Sequence, residues 1–168
     1  MTYKIYSDGS TRGNGSENAI GAWAYAIVDE NDELISSNFG VEKGTTNQRM
    51  ELTAAIRGLE VASISLAAGH RIQLYTDSAY LHNCYKNDWY VNWRANGWRN
   101  AKKQPVANQD LWQQLIPYFE TFGIDFFKVK GHTDGKTNHE KWNNYVDNLA
   151  QGATEKIKME IENGNSNH

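Results

Sequence analysis

A chain of 168 residues that is 39% hydrophobic and 12% aromatic can bury a sizeable core, which excludes a disordered chain and favours one globular domain. A net charge of −3 excludes attraction to nucleic acid by bulk charge, so a partner of that kind has to be held by a local basic patch. The longest apolar run, Ala19 to Val28, falls short of the roughly 20 residues that cross a bilayer, and no basic-then-apolar leader opens the sequence, so a soluble, cytoplasmic protein is expected, a monomer by default.

Taken in chain order, the first third reads as an antiparallel meander of Thr2 to Asp8, Ala19 to Asp29 and Glu33 to Val41, with the polar turn Asp29-Glu30-Asn31-Asp32 between the last two strands. From Thr46 the period becomes helical. Leu52, Ala55, Ile56, Leu59, Ala62 and Ser63 share one stripe until Gly69 ends it. A strand from Arg71 to Thr76 follows, then a helix from Ser78, an irregular Trp-rich segment to about Asn108, a helix from Asn108 to Glu120 and a strand from Ile124 to Val129. After a loop comes a last helix, His139 to Ile161, and a tail at 161–168 that reads as disordered. Meander followed by strand–helix alternation predicts an α/β fold with a mixed sheet and right-handed crossovers in a single domain over residues 1–160. The lone cysteine, Cys84, cannot form an internal disulfide and is expected to pack as a small buried hydrophobe.

Two strands end on the same pattern, "IYSDGS" at Ile5 and "LYTDSA" at Leu74. Alternation places Tyr6 with Asp8 and Tyr75 with Asp77 on one face each, and parallel adjacent strands open their carboxyl ends onto a common crevice. Glu51, beside Leu52 on the flank of the buried helical stripe, is positioned to face that crevice. Taken singly, each acid could be a turn former, and Asp77 of "DSAY" could cap the next helix. Clustered carboxylates repel one another, however, and persist where cations neutralise them; hard oxygen ligands without a Cys/His set point to magnesium or manganese.

The stretches "YSDGS", "TTNQRMEL", "LYTDSAY", "NGW", "KKQPVANQDLW", "VKGH" and "VDNLA" occur in the order found in the type 1 ribonuclease H family, and the chain resembles that family, in its bacterial form with a basic protrusion, over nearly its whole length. The resemblance implies a ribonuclease H-like fold, a five-stranded mixed sheet flanked by helices, and an acidic quartet at Asp8, Glu51, Asp77 and Asp147. It also implies a loop histidine at His132, and hydrolysis of the RNA strand of an RNA/DNA hybrid with two divalent metals, normally magnesium with manganese as substitute, giving 3′-hydroxyl and 5′-phosphate ends. His132 would shuttle protons, as a side chain that titrates near neutrality, whereas His70, His82, His139 and His168 read as surface loop histidines. Between His132 and Asp147 the chain also carries Asp134 and Glu140, and Ala79 stands where the family commonly has a glutamine contact.

Substrate contacts follow from residue chemistry. Asn14, Asn47 and Gln48 are short amides on loops beside the acids, suited to minor-groove base edges and 2′-hydroxyls. Thr46 and Asn108 resemble the family's phosphate-pocket positions. The local basic patch lies at 89–109, where Arg94, Arg99, Lys102 and Lys103 face no Asp or Glu and alternate with Trp93 and Trp98 in a pattern suited to a DNA strand's sugars and phosphates. Trp89 is expected to belong to the small core of this protrusion. Two other readings remain open: a different nuclease with clustered acids, such as a resolvase, integrase or proofreading exonuclease, and a hybrid-binding module that has lost catalysis.

Overall fold

Period-two burial organises the sheet. In a computed structural model that describes residues 1–14, 16–131 and 133–166, Ile5 and Tyr6 are both fully buried although they point to opposite faces, so β1 (Thr2–Arg12) is covered on both sides. It pairs antiparallel with β2 (Ile20–Val28), which pairs antiparallel with the edge strand β3 (Leu34–Lys43). On its other side β1 pairs in parallel with β4 (Arg71–Thr76), and β4 in parallel with β5 (Asp125–Lys128), for the order β3-β2-β1-β4-β5. The sheet is five-stranded and mixed, as the family resemblance implies.

The two faces are packed differently because their side chains differ in size. On one face Ile5, Tyr25, Ile27, Leu74 and Phe126 meet α1 (Asn47–Ala67), α2 (Ala79–Lys86) and α4 (Gln109–Phe122) through Leu52, Leu59, Leu81, Trp112 and Phe119. Cys84 lies in this core with no exposed surface, and burial pushes its thiol up to about 12. On the other face Ala22, Ala24 and Ala26 are small enough for α5 (Asn138–Ser166) to lie against the sheet through Val146, Ala150 and Ala153. Among the described residues no helix is long and apolar enough to cross a membrane.

Several boundaries differ from the sequence reading. β1 does not stop at Asp8; it stays paired with β2 through Arg12↔Ile20, while its parallel pairing with β4 ends at Ser7↔Thr76. Asp8 therefore sits where the β4 partner leaves, rather than at the strand's end. Part of the Trp-rich segment is a short helix, α3 (Trp89–Ala95), and the last helix runs past Ile161 to Ser166. Trp89 is 38% exposed, and it is the neighbouring Tyr90 that α3 buries. His82 and His139 lie in helices, not loops: His139 stacks on Tyr75 at 4.5 Å between ring centroids and its Nδ1 is 2.6 Å from the Tyr6 hydroxyl. The expectations for His132 and His168 lie outside the described residues.

Candidate active site

The parallel pairing of β1 with β4 ends at Ser7↔Thr76, so Asp8 is the first residue of β1 beyond its β4 partner. Gly9 brings the third acid into reach, because a Cβ built there would stand 2.5 Å from the Glu51 backbone nitrogen and 2.6 Å from the Met50 carbonyl carbon. Only a residue without a side chain allows the α1 backbone this close to the strand. Gly131 has the same role on the opposite wall, where a Cβ would come within 2.8 Å of Asp77 Oδ2.

Asp77 is free of the capping role that its position suggested. The N-cap of α2 is Ser78, whose hydroxyl accepts the Leu81 amide hydrogen at 3.1 Å. With that task taken by its neighbour, the Asp77 carboxylate turns to the crevice. One carboxylate oxygen each from Asp8, Glu51 and Asp77 lie within 4.8 Å of one another. Asp147, half-buried on α5, is close enough to Asp8 to help raise its pKa. The other acids of the long segment do not contribute: Asp134 is exposed, and Glu140 accepts the Lys136 amide hydrogen at 3.1 Å.

The cluster's electrostatics follow from burial and like charge. Asp8 is 4% exposed, and its carboxyl is driven far above the usual carboxylate range, first by loss of water, then by Asp77, Asp147 and Glu51. Burial raises Glu51 to about 7; a hydrogen bond from Ser78 works against the rise and the charge of Asp77 adds to it. Among the described residues, Asp8 Oδ2 is buried with no hydrogen-bond partner. A buried carboxylate oxygen without a donor costs free energy unless a cation meets it, and all-carboxylate oxygen donors suit a hard divalent ion. The donor set thus fits magnesium or manganese.

The sequence reading missed the neutral donors that hold these acids. Asn143, 1% exposed, donates from Nδ2 to Asp77 Oδ2 at 3.3 Å, and Gln151 donates from Nε2 to both Asp147 oxygens at 3.1 Å. Asn143, Asp147 and Gln151 recur at four-residue intervals on one helix face, a spacing that was available as a signal. Ser78 was passed over because its neighbour carried the charge.

The expected substrate residues fall into two groups. Asn14, Thr46, Asn47 and Gln48 surround the start of α1 beside the acids. Asn14 Oδ1 accepts the Asn47 amide hydrogen at 2.8 Å, Thr46 Oγ1 accepts that of Arg49 at 3.2 Å, and the Asn47 side chain donates to Glu51 at 3.5 Å. Asn108, at the start of α4, accepts from Arg49 at 3.5 Å and donates to the Tyr80 hydroxyl at 3.3 Å. In the protrusion, Arg99, Lys102 and Lys103 are exposed. Trp93 and Trp98 are half-buried; Trp93 meets Trp112 edge-on at 5.9 Å, so its ring serves the core as well as the surface. Arg94 is not an unengaged cation: it forms a forked ion pair with Glu120 at 2.5 and 2.8 Å.

With that geometry in place, comparison with known proteins is specific. Residues 1–155 match the family described as RNase H. A ribonuclease H of Moorella thermoacetica is 40% identical over 158 residues, covering 93% of each chain, and one of Syntrophomonas wolfei is 40% identical over 153 residues, covering 91% of this chain and 96% of the relative. Two solved structures share the fold. LC9-RNase H1, a type 1 enzyme with the type 2 active-site motif, superposes with a TM-score of 0.73 at 23% identity, over 92% of this chain and 72% of the other. LC11-RNase H1 in complex with an RNA/DNA hybrid gives 0.67 at 18% identity, over 92% and 98%.

Proposed function

The chain belongs to the ribonuclease H family, and from that premise we propose that it hydrolyses the RNA strand of RNA/DNA hybrids with two divalent metal ions, leaving 3′-hydroxyl and 5′-phosphate ends. The observation that carries the reading is the buried carboxylate cluster, above all the Oδ2 of Asp8, which has no hydrogen-bond partner among the described residues.

In this reading Asp8, central in the sheet, would hold the ions together with Glu51, Asp77 and Asp147. Magnesium, when bound, supplies the positive charge that activates water on one side of the phosphodiester and stabilises the departing oxygen on the other. The chain's own residues do the remaining work. Asn143 and Gln151 hold the Asp77 and Asp147 carboxylates by neutral hydrogen bonds, which orient them without cancelling the charge an ion needs. Asn14, Asn47 and Gln48 bind the minor-groove side, where 2′-hydroxyls distinguish RNA from DNA. Thr46 and Asn108 take a phosphate, and Arg94, Arg99, Lys102 and Lys103, with Trp93 and Trp98, grip the DNA strand across the protrusion at 89–109. His132 moves protons during turnover and product release.

The test is a strand-labelled hybrid, offered beside RNA duplex, DNA duplex and single-stranded RNA, in magnesium and in EDTA. Cleavage confined to the RNA strand of the hybrid and dependent on metal is expected. Hybrid binding without cleavage would instead favour a binding module.

A further inference from the structure

Helix α4 carries a carboxylate near each end, and each is forked onto an arginine from another element. Asp110 in the first turn receives Arg49 at 2.8 and 3.0 Å; Glu120 near the last turn receives Arg94 of the protrusion at 2.5 and 2.8 Å. The second pair is notable for its place. Arg94 is one of four cations that the protrusion can offer to a nucleic-acid backbone, and Glu120 presents two oxygens to its guanidinium in the planar, two-point arrangement that a phosphate would adopt.

Anchoring α3 does not require this pair. Tyr90 is buried in the main core, and Trp93 packs there edge-on against Trp112 of α4, so the protrusion is already held to the body of the protein. Both partners are also wet, with 48% and 39% of their side-chain surface exposed. An exposed pair of this kind is weak in water, and a phosphate can displace one side of it. The neighbouring residues of the groove, Trp98, Gln113 and Pro117, are neutral, so none of them offers Arg94 a second acid.

We propose that Glu120 is a built-in competitor for the backbone phosphate that Arg94 would otherwise hold, and that it sets how tightly the protrusion grips a polyanion. The inference rests on the reading of residues 89–109 as a backbone grip. With the pair closed, the protrusion presents Arg99, Lys102 and Lys103, all exposed; with it open, it presents four cations. Because a phosphodiester backbone is the same ligand in a hybrid and in DNA, Glu120 lowers affinity for both while leaving the preference between them to the amides beside the acids.

The experiment is a cycle of parent, Glu120→Gln, Arg94→Gln and the double variant. Binding of a labelled RNA/DNA hybrid and of a DNA duplex of the same sequence is measured by fluorescence anisotropy in EDTA. Freeing one phosphate contact steepens the slope of log affinity against log salt by about 0.9, so the advantage of Glu120→Gln over the parent grows about 3.5-fold between about 200 and 50 mM salt. The gain should appear on both duplexes and vanish in the Arg94→Gln background. Glu120→Ala, checked for folding by its melting curve, should behave as Glu120→Gln does. An unchanged or weakened affinity overturns the proposal, as does a gain that survives without Arg94, because that would be diffuse charge rather than a released contact. A parent that cleaves no hybrid would remove the proposed activity and leave this binding test intact.

Discussion

Asp8→Asn should make the metal-free protein more stable. Asp8 is 4% exposed beside three other carboxyls, and its pKa is raised by burial first and by their charge second. A carboxyl raised in this way keeps its proton in the folded protein above the pH at which the unfolded chain has released it. The parent therefore loses stability as pH rises above about 4, the ordinary aspartate value, whereas asparagine, neutral in both states, does not. Side-chain rearrangement and water entry relieve part of the shift. Counting only two pH units of it gives about 2.7 kcal/mol, or about 5–10 °C in Tm for a chain of this size. Thermal unfolding followed by circular dichroism in EDTA, from about pH 4 to 8, measures the difference. The variant should melt higher at about pH 8, the curves should converge near pH 4, and magnesium should raise the parent's Tm far more than the variant's. Equal stability at pH 8, or a gain that persists at pH 4, would refute the picture of an uncompensated buried acid.

Asn143→Ala removes the amide held against Asp77 and should weaken magnesium binding by about 1 kcal/mol, or about fivefold, read from the metal concentration that half-saturates the thermal shift. His132→Ala should slow single-turnover hybrid cleavage without abolishing it; complete loss with an intact fold would make His132 an essential ligand or base. Neutralising Lys102 and Lys103 together should flatten the salt slope of hybrid affinity by up to about 1.8 with hybrid-over-DNA preference unchanged. Asn47→Ala should do the reverse, costing roughly 1 kcal/mol of that preference at constant slope.

Much of this architecture was legible because it is encoded locally. Alternation in "IYSDGS" and "LYTDSA" put each aspartate on its strand's crevice side, and the helical stripe around Leu52 placed Glu51 at its flank; the folded chain brings these three acids together. What escaped depends on partners distant in sequence. Asp8 read as a strand end because Gly9, Ser10 and Thr11 look like a turn, yet the register with β2 carries the strand on to Arg12. Arg94 read as an available cation because Glu120 lies 26 positions away, and nothing local announces that α4 will present it. His139 read as a surface loop histidine until α5, docking on the alanines of β2, laid its ring on Tyr75. Trp89 and Tyr90 are both aromatic, and only the way α3 settles on the body decides which of them is buried.

Cleavage of an end-labelled RNA/DNA hybrid by the parent and by Asp8→Asn, in magnesium and at matched hybrid occupancy, tests the central claim most directly. The account predicts that both bind the hybrid, that the parent cuts only the RNA strand and only with metal, and that Asp8→Asn, which keeps the shape but lacks the carboxylate charge, cuts neither strand. Turnover by Asp8→Asn close to that of the parent would contradict it.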